Sequence, residues 1–320
     1  MTMAARARTS RVGRVHTATG ERPHCHCASA LVLPDGSLFA AWFAGAFETA
    51  RDQAILGAVL PAGEEHWSAP WVIVDTPDRA DGQPLPWLGP DGRLRLFFVT
   101  LDGIDWTSAR LFHRVSPDLG RTWGESVPVV EEPGWMVRSR PLLAGDGAVL
   151  LPAYEERTRR SAMLRSEDGG ASWTRGAAID TPDGNIHPCL VRRRDGALDA
   201  YLRSPGRLWR ATSPDDGRTW APAEPTAIPN PDSGFDLIRT SDGALILAYD
   251  DSDRLRTPLR VARSSDDGCS WEPLVTLEDG PAEYSYPVLV ADAAGGVHCL
   301  YTAARTEIRH AVIELEEAAS

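Results

Sequence analysis

At 320 residues the chain can bury a large core, and one closed all-β domain of that length is permissible. Its 45 acids against 33 bases leave a formal charge of −12, which argues against nucleic acid or an anionic membrane as partner. No stretch approaches the roughly 18 apolar residues that a membrane span requires. The five cysteines, Cys25, Cys27, Cys189, Cys269 and Cys299, are odd in number and scattered, unlike a disulfide framework. Met1 to Gly20 is rich in Arg and Thr and lacks the apolar segment of a signal peptide, so a cytoplasmic, reduced protein is expected.

In chain order, the first expected element is a strand at about residues 10–19, which closes the last repeat as its outermost strand. Turn pairs then recur at Asp35-Gly36, Asp91-Gly92, Asp146-Gly147, Asp195-Gly196 and Asp242-Gly243, with a degenerate Gly295-Gly296. Strand-like runs flank each: 28–33 and 37–43, 85–88 and 93–100, 141–143 and 148–154, 188–192 and 197–202, 235–239 and 244–249, 287–290 and 297–301. Such pairs read as β-hairpins. Between them a second pattern, S-x-D-x-G-x-[ST]-W, occurs four times: Ser116 to Trp123, Ser166 to Trp173, Ser213 to Trp220 and Ser264 to Trp271. His66-Trp67 reads as a worn copy in the first repeat. A period of roughly 50 residues means radial or solenoid repetition. Six hairpins, each followed by two more strands, describe an all-β, six-bladed β-propeller of four-stranded antiparallel blades in one domain over residues 1–320.

The repeated box consists of turn and packing residues. Its Asp folds back onto its own turn, its Gly supplies positive φ and its Trp is buried, so its expected role is structural. Chemistry is expected elsewhere. In a propeller, residues just before the innermost strand and just after the second converge on one mouth. That rule collects His24, His26, Glu48 and Asp52; Gln83 and Asp105; Arg138, Arg140, Tyr154, Glu155 and Glu156; His187 and Arg203; Asp232, Asp236, Asp250 and Arg256; and Tyr284, Tyr286 and Arg305. Taken singly, Asp105, Glu156 and Arg138 read as solvated loop charges. As a set, arginines, acids, tyrosines and histidines around one cleft suit an anionic, hydroxyl-rich ligand.

Four boxes on six blades resemble the sialidase (neuraminidase) superfamily, and in particular its BNR-repeat, sialidase-like proteins. The likeness runs from Cys25-His26 to Ile308-Arg309-His310 and is strongest at Ala40-Ala-Trp-Phe43 with Glu48 and Asp52, Asn185-Ile-His-Pro188, Asn230-Pro-Asp-Ser-Gly234, Arg256-Thr-Pro-Leu259 and Glu283-Tyr-Ser-Tyr-Pro287. The resemblance implies a glycoside hydrolase that clamps a substrate carboxylate with arginines and attacks with a tyrosine. It assigns clamp roles to Arg203 and Arg256, the nucleophile to Tyr284, and the acid/base to Glu48, with Asp52 as the alternative. His26, Arg140, Tyr154, Asp236, Tyr286 and Arg305 are expected to contact substrate. Two positions depart from the family pattern. His26-Cys27-Ala28 stands where an Arg-Ile-Pro is usual, and His187 replaces the glutamate that activates the tyrosine, so His187 becomes the candidate base.

The expected function is therefore a sialidase-like glycosidase acting on a carboxylate-bearing sugar. Next come a lyase, cyclase or isomerase on a small acidic metabolite or uronate, then a non-catalytic glycan-binding propeller. No cofactor and no metal is expected; His24, His26 and His187 are the one trio that could reach zinc across the mouth. A small-molecule or glycan substrate is the expected partner, and a monomer the default.

Overall fold

The computed structural model describes residues 6–316. Within them the chain forms six antiparallel sheets, five of four strands and one of five, in sequential order. It is a six-bladed β-propeller. The only helix among the described residues is the 3-10 turn Trp106–Ser108.

The first blade shows how sequence makes the unit. His24–Val32 pairs with Leu38–Gly45, which pairs with Ala54–Leu60 and then Trp71–Val74. Leu38–Gly45 reads LFAAWFAG and is buried at every position, because blades cover both of its faces. Apolar clusters fill the gaps between neighbouring blades, such as the one joining Phe97, Leu111, Val137 and Leu151.

The repeated boxes tie each outer hairpin. In the third copy Ser213 Oγ donates to Asp215 Oδ1 at 2.8 Å and accepts from Gly217 N–H at 2.8 Å. Asp215 in turn accepts from Thr219 N–H at 2.8 Å and from the Thr219 hydroxyl at 2.6 Å. Those bonds, the hydroxyl's first, hold the Asp215 carboxyl down at about 2. The same bonds recur at Asp118, Asp168 and Asp266. The box tryptophans Trp123, Trp173, Trp220 and Trp271 cover four different interblade clusters. In the fourth box a side chain at Gly268 (φ +81°) would place its Cβ 2.0 Å from the Tyr201 hydroxyl.

The ring closes with strands from both ends of the chain. Arg6–Thr17 runs antiparallel to Glu307–Glu316, from Arg6 opposite Glu316 to Thr17 opposite Glu307. The sixth blade thus joins the N-terminal strand to Tyr284–Ala291, Val297–Ala303 and Glu307–Glu316. Trp67, the remnant of the first blade's box, packs against the Trp42, Leu300 and Ile308 cluster across this seam.

Candidate active site

The innermost strands carry a shared distortion at their mouth ends. Cys27, Gln83, His187 and Tyr286 all take positive φ, between 50° and 58°, and each strand shifts register there. Three of them precede a proline: Pro84, Pro188 and Pro287. Proline lacks the N–H a ladder needs, so the pairing is interrupted at each of these positions. Each such non-glycine conformation costs about 1–3 kcal/mol and clusters at functional sites. Here the bulges turn side chains toward the axis that regular alternation would send into the blades.

Tyr286 sits at the centre of the result. The guanidinium carbons of Arg138, Arg203 and Arg256 lie 5.5, 5.7 and 5.6 Å from its ring centroid. Arg203 Nη1 donates to its hydroxyl at 2.8 Å. The rings of His26 and His187 pack on it at 4.3 and 5.4 Å. Phe43, Cys27 and Trp106 complete an apolar collar.

Carboxylates then arrange the guanidiniums. Asp232 accepts from Arg203 Nε at 2.9 Å and from Arg159 at 3.0 Å. Glu283 accepts from Arg256 at 2.8 Å and from Arg305 at 3.1 Å. Arg305 reaches on to Glu48, whose other oxygen accepts from Trp106 Nε1 at 3.2 Å. Burial opposes ionisation of Asp232, but Arg203 and Arg159 outweigh it and hold the carboxyl below its ordinary range. For Glu283 the hydrogen bonds from Arg305 and Ser285 do the same.

The histidines behave differently. Burial first, then Arg203 and Arg138, push His187 well below its ordinary value. Burial and then Arg305 and Arg256 do so for His26. Both are neutral imidazoles near neutral pH. Asp250 is wholly buried, and neither of its oxygens accepts a hydrogen bond of ordinary geometry from the protein. Burial lifts its carboxyl to about 7, against the opposing pull of Ser233 and Arg256. Glu156 Oε2 is buried without a partner as well, and burial raises that carboxyl too.

Several expected site residues lie elsewhere. The Tyr284 N–H donates to the Arg256 carbonyl at 2.8 Å, but its side chain turns away from the guanidiniums. Its side chain enters the core between the fifth and sixth blades with Ile238, Leu259 and Leu289, its hydroxyl against Gly280. The bulge between Ser285 and Val288 sends Tyr286 to the centre instead. His187 therefore meets Tyr286 and the Tyr154 hydroxyl, at 3.0 Å, rather than Tyr284. Asp52 is exposed and folds its carboxylate onto the Ala46 N–H at 3.2 Å, closing its own loop. Arg140 and Asp236 pair with each other at 2.5 Å; Arg140 also binds the Leu237 and Leu289 carbonyls, and Asp236 the Leu289 N–H. They tie the third, fifth and sixth blades across the axis. Arg140 forms part of the wall of a cavity of about 550 Å³ bordered by all six innermost strands, away from the Tyr286 cluster.

Arg138, read singly as a solvated charge, is 5% exposed and donates to the Tyr286 and Pro287 carbonyls. Asp105 does cap an exposed turn, at Thr107 N–H. Glu283 was not among the residues collected from sequence, although an acid directly before Tyr-Ser-Tyr was the available signal. Among the described residues no three His, Cys, Asp or Glu side chains are placed to hold a metal ion.

Comparison with known proteins bears on the fold. Residues 36–299 match the family described as BNR repeat-like domain. No curated protein matches the chain. A solved protein of unknown function from Dyadobacter fermentans superposes with a TM-score of 0.81 at 16% identity, over 97% of this chain and 99% of its own. The Hadza microbial sialidase Hz136 gives 0.78 at 18% identity, over 91% of this chain and 66% of its own. The leech intramolecular trans-sialidase, solved with 2,7-anhydro-Neu5Ac, gives 0.76 at 15% identity, over 97% and 70%. At such identities the likeness is one of fold.

Proposed function

This chain belongs to the BNR repeat-like domain family, and from that premise we propose that it is a glycosidase-like enzyme acting on a carboxylate-bearing sugar at the Tyr286 mouth. The observation that carries the reading is the triangle of Arg138, Arg203 and Arg256 around Tyr286, with Arg203 bonded to the phenol at 2.8 Å. The Arg203 bond fixes the phenolic oxygen in the mouth, where it can act as the nucleophile. Arg203 and Arg256 hold the sugar carboxylate, and Asp232 and Glu283 fix their orientation. Glu48, fixed by Arg305 and Trp106, serves as the acid/base toward the departing oxygen.

The test is turnover of aryl glycosides of sialic, glucuronic and galacturonic acids. Tyr286→Phe should lose on the order of a thousandfold or more in kcat, as loss of a nucleophile does. Tyr284→Phe should stay within a few-fold. Equal effects of the two changes refute the assignment. Two neutral imidazoles against Tyr286 favour a second reading, proton abstraction beside the carboxylate with elimination. Its signature is an unsaturated product absorbing in the near ultraviolet.

A further inference from the structure

Asp250 ends the strand Leu245–Asp250 at the mouth, paired in register with Leu259. Three charged groups face it: Arg256 from the next loop of its own blade, Glu283 from the segment leading into the sixth blade, and Arg203 from the fourth. The Ser233 hydroxyl is its polar neighbour, close enough to favour ionisation yet short of ordinary hydrogen-bond geometry. A carboxyl with no exposed surface and no hydrogen-bond donor is costly to ionise.

Arg256 is its counterpart. That guanidinium is divided between Glu283, the Asp232 carbonyl at 3.5 Å and the face of Tyr286. An ionised Asp250 would take a share of the same charge and repel a second anion in the mouth. A protonated Asp250 does neither.

We infer that Asp250 is a positioning residue that couples anion binding at Arg256 to protonation of its own carboxyl. The inference rests on the proposed reading that the mouth binds a sugar carboxylate. Asp250 does not touch the ligand; it sets how much of the Arg256 charge the ligand receives. Affinity for an anionic sugar should then fall as pH rises through neutrality, by about tenfold overall, the size expected for two like charges several ångströms apart in a partly buried site. In Asp250→Asn the fall disappears, and affinity stays near the acidic value of the wild type.

Titration calorimetry of the full chain with sialic acid, glucuronate and galacturonate tests this, at about pH 5.5, 7 and 8.5 in buffers of differing ionisation enthalpy. With the free carboxyl at about 7 and a tenfold change in affinity, the wild type should take up about half a proton per ligand near pH 7.5. This needs no variant, so a folding defect in Asp250→Asn cannot mask the answer. Binding that is abolished in Arg203→Ala but shows neither pH dependence nor proton uptake in the wild type overturns the coupling alone. Binding unaffected by Arg203→Ala, or no binding of the three acids at any pH, overturns the site reading and the coupling with it. A pH dependence that persists in Asp250→Asn assigns the proton elsewhere and refutes this role.

Discussion

Replacing Asp250 by Asn should stabilise the protein in neutral and alkaline solution and leave it nearly unchanged in acid. The side chain is wholly buried, and its carboxyl is lifted from 3.8 to about 7. In the unfolded chain the same group ionises near its ordinary value. Between those two values the folded state keeps a proton that the unfolded state has released, so stability falls as pH rises. Below the unfolded value the contribution is intact, and above about 7 it is lost. At about 1.4 kcal/mol for each pH unit of that window, the loss amounts to about 4 kcal/mol. Urea unfolding of wild type and Asp250→Asn at about pH 5 and about pH 8 isolates the effect. The stability gap in favour of the variant should widen by about 3 kcal/mol between them. An unchanged gap, or one that narrows at the higher pH, would refute the claim that Asp250 is a buried acid without a partner.

Other substitutions probe the fold beneath the site. Arg140→Ala strands the nearly buried Asp236 carboxylate and should cost about 3 kcal/mol by urea unfolding; a selective loss of ligand affinity with stability intact would return Arg140 to the site. Gly268→Ala drives a methyl into the Tyr201 hydroxyl and should lower stability by more than about 2 kcal/mol. Gly196→Ala, also at positive φ but with open space around it, should cost only about 1 kcal/mol. Equal melting shifts for the two glycine variants would show that the hydroxyl moves aside.

What the sequence disclosed was whatever depends on neighbours in the chain. Asp-Gly turns, alternating runs and the Ser-Asp-Gly-Trp boxes are complete within about ten residues, so they marked every blade. The site was legible only as a population. Counting residues onto one mouth gathered Arg203, Arg256, His187 and Tyr286, and alternation could not say which way each faced. Which of Tyr284 and Tyr286 turns to the arginines was not legible, since a left-handed residue before Pro287 breaks the alternation on which the count relied. That Arg140 is taken up by Asp236 and the Leu237 and Leu289 carbonyls was not legible, because those partners lie on the fifth and sixth blades. Asp250 was gathered onto the mouth with the rest, but its complete burial was not legible, because burial comes from the three-dimensional surroundings.

Closing the ring with strands from opposite ends of the chain dictates an order of assembly. During synthesis Arg6–Thr17 emerges ahead of the propeller's other strands, yet among the described residues its ladder partner is Glu307–Glu316, the last of those strands to be made. Until then it waits as an unpaired edge, the kind of strand that recruits a wrong neighbour. The nascent protein can stack its early blades but cannot buckle the belt. Refolding speed should therefore track how soon two segments some 300 residues apart find each other.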